Sequence, residues 1–193
     1  LKKPDFWNNK NLLAYIFLPL TLITHTINFF KKFSNKKQFA IKTICVGNIY
    51  IGGTGKTSLS IKINEILNQN KIKSCFVRKF YKTQIDEQKL LKSRGKLFLS
   101  SKRMDAISEA EKKNYKVAIC DDGLQDRSIN YDLKLICFNN INWIGNGMTL
   151  PSGPLREDIN NLKNYQHIFL NGNLENIEEI TKEILNINSD INI

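Results

Sequence analysis

Six consecutive residues, Gly52-Gly53-Thr54-Gly55-Lys56-Thr57, carry the plainest chemistry in the sequence. The three glycines let a loop bend sharply and let backbone N–H groups approach an anion closely. Lys56 supplies one ammonium that reaches outer phosphates, and Thr57 a hydroxyl that ligates Mg²⁺. The strict phosphate-loop pattern has glycine where Tyr50 stands, so the match is incomplete, yet the Gly-Thr-Gly-Lys-Thr core is intact. Further along, Asp121 and Asp122 stand together before Gly123-Leu124-Gln125. Adjacent carboxylates are unfavourable without a cation, and at the end of an apolar strand they suit Mg²⁺, held directly or through water. The same residues also read as a plain turn closed by Gly123. Asp86 reads either as a helix cap or as a catalytic carboxylate. Arg156 reads as a phosphate clamp or a solvated charge, and Glu157 as a carboxylate assisting the metal or a solvated one.

These groups need elements to hold them. An apolar, β-branched run ending near Gly47 predicts a buried strand before the loop. Leu59, Ile63, Ile66 and Leu67 have helical spacing after it, so strand, loop and helix occupy about 39–68. Further strands are expected at 73–78, 95–100, 115–120, 133–138 and 167–170, with helices at about 85–91, 102–114 and 175–185. Alternation of this kind predicts a three-layer α/β fold around a parallel sheet. Loops after strand ends, such as Arg78–Lys82, are where such sheets bind ligands. Gly145–Gly147 and Pro151–Glu157 are expected to form an irregular, functional loop region, and the Asn-rich tail to be frayed. His25 and His167 receive no chemical role.

The formal net charge of +11 favours an anionic partner: nucleotide, acidic lipid or nucleic acid. Cys45, Cys75, Cys120 and Cys137 each lie in an apolar run with no Cys-x-x-Cys pair. They are expected to be core thiols in a reducing compartment rather than metal ligands. Leu12–Phe30 is the most apolar stretch, interrupted by Pro19 and followed by Lys31, Lys32, Lys36 and Lys37. The preferred reading is a helix lying in a membrane interface, ahead of a true span and a buried core helix. A secretory signal is disfavoured, since no small-residue cleavage site follows. Phe6 and Trp7 read equally as interface anchors or as a staple into the core. Two regions follow: a membrane-associated segment over 1–38 and a phosphate-loop nucleotide-binding domain over 39–193.

Taken together, the motifs resemble the tetraacyldisaccharide 4'-kinases, the lipid A 4'-kinases. The matching pieces, in order, are Pro4-Asp5-Phe6-Trp7, Leu18-Pro19-Leu20, Val46-Gly47-Asn48, the glycine loop, Asp86-Glu87, Asp121-Asp122-Gly123-Leu124-Gln125, Gly145-Asn146-Gly147 and Gly153-Pro154-Leu155-Arg156-Glu157. The resemblance implies a phosphate-loop kinase that uses ATP and Mg²⁺ to phosphorylate the 4'-hydroxyl of a lipid A disaccharide 1-phosphate, at the cytoplasmic face of a Gram-negative inner membrane. It implies Asp86 as catalytic base with Lys56, and nucleotide contacts from Gly52, Gly53, Thr54, Gly55, Lys56 and Thr57. Thr57, Asp121, Asp122 and Glu157 would serve the metal, and Asn48, Arg78, Gln125 and Arg156 the substrate. The expected partners are that lipid and an anionic membrane surface, with no nucleic acid, for a monomer. The sequence departs from the family where Phe76-Val77-Arg78-Lys79-Phe80-Tyr81 replaces a glycine-containing loop and where Asp126 replaces a histidine. The family's second, smaller lobe is expected to be absent from this chain. Two alternatives remain: a membrane-associated partitioning-type ATPase, in which Ile51 would occupy the place of an extra lysine, and a non-catalytic ATP-binding fragment.

Overall fold

Runs such as Ile44–Val46, Cys75–Val77 and Val117–Cys120 are apolar on consecutive residues, which suits strands covered on both faces. In the computed structural model they become β1 (Lys42–Gly47), β2 (Ser74–Lys79) and β4 (Val117–Asp121), joined by β3 (Leu97–Ser100), β5 (Leu133–Asn139) and β6 (His167–Asn171). The structure describes residues 3–30, 36–173 and 175–193; Lys31 and Lys32 of the basic flank lie outside them. The strand order is β3-β2-β4-β1-β5-β6, with β1–β4, β2–β4 and β2–β3 parallel. Helices α3 (Lys56–Gln69), α4 (Ile85–Arg94), α5 (Arg103–Lys112) and α6 (Ile177–Ile187) alternate with the strands, and α1 (Leu12–Ile16) and α2 (Leu18–Phe30) precede them. The expected α/β architecture is present.

Two compact units make up the chain: Leu1–Ser34, Asn48–Thr54 and Ile136–Ile193 form the first, and Asn35–Gly47 with Gly55–Leu135 the second. The second unit holds β1 to β4 with α3 to α5. Its core is built from Val46, Phe76, Val77, Ile107, Ala118 and Ile119, with Cys45, Cys75 and Cys120 among them. Cys137 is equally buried in the first unit, and none of the four is in a disulfide among the described residues, as their apolar settings implied. Burial pushes the Cys45 and Cys75 thiols up to about 12.

In the first unit the apolar amino-terminal stretch folds as two helices rather than one. Phe17 closes α1, its N–H bonded to Leu13 O, and Pro19 falls in the first turn of α2, where a missing N–H costs nothing. At 13 residues, α2 rises only about 20 Å. Among the described residues no helix is long and apolar enough to cross a membrane. Leu12, Leu13, Ile16, Leu22 and Ile23 are more than half exposed.

One expectation is corrected in this unit. The tail is not frayed: Ile168 N–H donates to Asn192 O at 2.8 Å, Asn192 N–H to Gln166 O at 2.8 Å, and Ile191 is buried. Backbone pairing beside β6 outweighs the polar composition of the tail. Beyond the glycine- and proline-rich region, Ile159–Asn164 forms a 3₁₀ helix that buries Leu162 and is capped by Asp158, which accepts from Asn160 N–H at 2.8 Å.

Candidate nucleotide site

In the second unit, α3 begins at Lys56 itself, with Gly55 at its N-cap in a left-handed conformation (φ +83°) that suits glycine. Lys56 and Thr57 therefore occupy the first turn, where helix N–H groups lack intrahelical acceptors and the dipole favours an anion. β4 delivers the carboxylates to the same place. Thr57 Oγ1 lies 3.5 Å from Asp121 Oδ2, Ser60 Oγ 3.3 Å from Asp121 Oδ1, and Lys56 Nζ 3.8 Å from Asp122 Oδ1. Sequence reading had singled out four of these residues; Ser60 it missed, because a serine one turn into an amphipathic helix carries no signal of its own.

Asp121 is fully buried. Burial pushes its carboxyl above the ordinary range, and the positive charges of Arg78 and Lys56 oppose that rise. Arg78 is 2 % exposed. Its guanidinium donates to Asp121 and to Glu87, and to Gln84 Oε1 at 2.9 Å. Asp86 sits exposed in the first turn of α4, beside Glu87. Gln84, not Asp86, is at the N-cap of that helix, and its side chain makes no capping bond.

The turn after β4 is held from behind. Asp122 adopts φ +53°, unusual outside glycine. Its N–H donates to Val46 O at 2.8 Å, and its carbonyl accepts from Arg103 Nη2 at 2.8 Å. Arg103 is itself buried, with Nη1 donating to Asp126 Oδ2 at 2.9 Å. Asp126, noted in the sequence as a departure, thus neutralises a buried guanidinium. Gly123 is packed so closely that a Cβ there would stand 2.9 Å from both Cys45 Sγ and Tyr131 Oη. Gln125, expected at the substrate, is half-buried in the same turn.

The first unit carries the leading half of the glycine loop. Asn48 is buried, and its Nδ2 donates to the carbonyls of Tyr50 and Gly52; it shapes the loop from inside. Gly52 has φ +143°, and a Cβ there would meet Lys3 Nζ at 2.9 Å. Lys3 Nζ also donates to Tyr50 Oη at 3.1 Å. At Gly53 a Cβ would meet nothing within 4 Å. Thr54 is buried in this unit. A short antiparallel bridge, Tyr50 with Leu155, ties the loop to the Gly-Pro-Leu-Arg-Glu strap, with Ile51 N–H donating to Pro154 O at 2.9 Å and Arg156 N–H to Ile49 O at 2.6 Å. Arg156 is half-buried; Glu157 is buried and accepts from Asn161 Nδ2 at 3.4 Å and Tyr165 Oη at 3.5 Å. The amino-terminal motif joins the same strap: Trp7 Nε1 donates to Pro151 O at 3.1 Å, Asn146 N–H to Trp7 O at 2.8 Å, and Asn146 Nδ2 to Phe6 O at 3.1 Å. Trp7 is half-buried and docked on the strap.

Hard oxygen donors, the Thr57 hydroxyl and the Asp121 carboxylate, suit Mg²⁺. Among the described residues no three His, Cys, Asp or Glu side chains converge as a metal cage. A glycine loop running into a helix start, an ammonium beside one aspartate and a hydroxyl beside another, all on a parallel α/β sheet, define a phosphate-loop nucleotide-binding protein.

Comparison with known proteins narrows the class. The sequence model for tetraacyldisaccharide-1-P 4'-kinase matches residues 12–94 and 82–192, and the chain belongs to that family. The tetraacyldisaccharide 4'-kinase of Pelagibacter ubique (strain HTCC1062) is 59% identical over 198 residues, covering 100% of this chain and 62% of that protein. The same enzyme of Rickettsia canadensis (strain McKiel) is 28% identical over 171 residues, covering 80% of this chain and 52% of that one. The chain thus spans just over half to three fifths of these relatives. The crystal structure titled as the "apo" form of LpxK from Aquifex aeolicus in complex with ATP superposes with a TM-score of 0.71 at 23% identity, over 86% of this chain and 61% of that one. At that identity it corroborates the fold.

Proposed function

We propose that the chain is the nucleotide-binding portion of a lipid kinase that transfers the γ-phosphoryl group of ATP to the 4'-hydroxyl of tetraacyldisaccharide 1-phosphate. The observation that carries this reading is the meeting of Lys56 and Thr57, at the start of α3, with Asp121 and Asp122, at the tip of β4, in a member of this family. Phosphoryl transfer asks the protein chiefly for positioning and charge. Amides of Gly52, Gly53, Thr54 and Gly55 with the start of α3 hold the phosphates, and the open space at Gly53 supports a close approach there. Lys56 offsets negative charge on the outer phosphates. Thr57 and Asp121, with Asp122 assisting, would hold Mg²⁺, which would supply positive charge against the phosphates; Glu157 is the further carboxylate that the family resemblance offers for it. Asp86, exposed at the start of α4, takes the proton of the attacking hydroxyl. Arg156 and Gln125 face the lipid's polar head.

The exposed apolar side chains of α1 and α2 support attachment to a membrane surface rather than a span. Residues 1–38 then form the membrane-associated segment and 39–193 the kinase domain. The basic chain would approach the anionic cytoplasmic leaflet of the inner membrane as a monomer, with no nucleic acid partner.

The test is phosphate transfer from radiolabelled ATP to the tetraacyldisaccharide 1-phosphate in detergent micelles. Lys56→Ala should lose ATP binding and turnover with an unchanged circular dichroism spectrum. Asp86→Ala should keep ATP binding and lose about 10²- to 10⁴-fold in kcat. Wild-type turnover by either variant overturns its assigned role.

A further inference from the structure

The family resemblance implies Arg78 as a substrate contact, but its environment does not. It is among the largest fully buried side chains of the protein. β2 and β4 run parallel with Val77 opposite Cys120, so Arg78 and Asp121 follow as the next neighbours along the two strands. Its Nη1 donates to the Oδ2 atom of Asp121 that also faces Thr57, and its Nη2 to Glu87 and Gln84. Nε is buried without a partner among the described residues. Both terminal nitrogens are engaged by protein acceptors and the side chain itself is 2 % exposed, which leaves little to present to a lipid headgroup.

We propose that Arg78 is a positioning residue, one buried guanidinium that joins the carboxylate at the tip of β4 to the first turn of α4. The inference rests on the lipid-kinase reading, which it deepens. Asp121 is held at the oxygen that faces Thr57, and Glu87 is held one residue from Asp86. A single group therefore sets the spacing between the metal-side carboxylate and the helix that carries the proposed base. Gln88 Nε2, donating to Tyr81 O at 2.7 Å, anchors the same helix independently, so loss of Arg78 loosens the start of α4 without detaching it. Lysine cannot replace the fork, because one ammonium does not span two carboxylates and an amide in fixed geometry.

The experiment compares Arg78→Met, Arg78→Lys and Glu87→Gln in the full chain, each checked for a cooperative thermal melt. A fluorescent ATP analogue is titrated at rising Mg²⁺, and lipid phosphorylation is measured for kcat and KM. Both Arg78 variants should raise the Mg²⁺ needed for half-maximal nucleotide binding about tenfold. They should also lower kcat about a hundredfold while lipid KM stays within about twofold. Glu87→Gln should lower kcat but leave the Mg²⁺ dependence within about twofold, and should add no further loss in the Arg78→Met background. A raised lipid KM with unchanged kcat overturns the proposal and returns Arg78 to the substrate. So does an unchanged Mg²⁺ dependence in either folded Arg78 variant. If the wild-type chain phosphorylates no lipid, the kinase reading fails, while the Mg²⁺ titration still decides the role of Arg78.

Discussion

Gly123→Ala tests whether the carboxylate turn is set by packing beneath it. The added Cβ would stand 2.9 Å from Cys45 Sγ and 2.9 Å from Tyr131 Oη. Neither neighbour yields easily: Cys45 is fully buried and Tyr131 is 7 % exposed, with its hydroxyl donating to Gly123 O at 3.3 Å. Overpacking of this kind costs about 1–3 kcal/mol. Two simultaneous collisions with the hydrogen bond disturbed put the cost at about 2–3 kcal/mol. In a domain of this size that lowers Tm by roughly 4–12 °C. The assay is equilibrium urea unfolding of wild type, Gly123→Ala, Cys45→Ala/Tyr131→Phe and the triple variant. Removing both obstructing atoms should reduce the cost of the added methyl to under about 1 kcal/mol, a coupling well above the usual scatter of independent sites. A Gly123→Ala variant within about 0.5 kcal/mol of wild type refutes the reasoning, as does one whose cost is the same in the relieved background.

Three further outcomes follow from the geometry. At pH 8 the Cys45 and Cys75 thiols, raised by burial to about 12, should resist iodoacetamide in the folded chain and react readily in urea, as mass spectrometry would read. Burial would raise the Asp132 carboxyl, but the Thr43 amide and hydroxyl and Lys42 outweigh it and hold the group below its ordinary value. A lowered folded-state value stabilises above the unfolded-state value, near pH 4, and is lost as pH falls through the folded one. The stability gap between wild type and Asp132→Asn should therefore be constant near neutrality and shrink in acid, as urea melts at several pH values would read. Lys3, whose Nζ lies 2.9 Å from where a Gly52 Cβ would stand, adds an ammonium beside the loop. Lys3→Ala should weaken binding of a fluorescent ATP analogue several-fold, and unchanged affinity would remove Lys3 from the site.

What could be read from the sequence was whatever is local. Glycines, a lysine and a threonine in one run declare a phosphate loop, because the chemistry needs those types at adjacent positions. Asp121 and Asp122 were equally visible, as charges at the end of an apolar strand. Arg78 was legible as a residue but not in its contacts: these depend on the β2–β4 register and on where α4 starts, which no local pattern records. Asp126 is similar, since its value lies in Arg103, which sits more than twenty positions earlier. Trp7 could not be assigned between interface and core, because an indole suits both; the fold leaves it half-buried, with its N–H on Pro151 O. The tail misled because asparagine-rich composition says nothing about backbone pairing, and Asn192 pairs through its main chain.

The strap over the leading half of the glycine loop has a bearing on how the chain comes to be folded during synthesis. Trp7 and Pro151 are 144 positions apart, and Phe6 and Asn146 are 140 apart. Contacts of such separation close late, because long-range closure is entropically costly before other structure exists. A ribosome must release residues past Glu157 before Ile49–Ile51 can find Pro154–Arg156. Until then the exposed leucines and isoleucines of the first two helices are already outside the exit tunnel with no strap to anchor them. The nascent chain thus exposes α1 and α2 before the strap beside its glycine loop exists, an order that favours early capture by a bilayer or a chaperone.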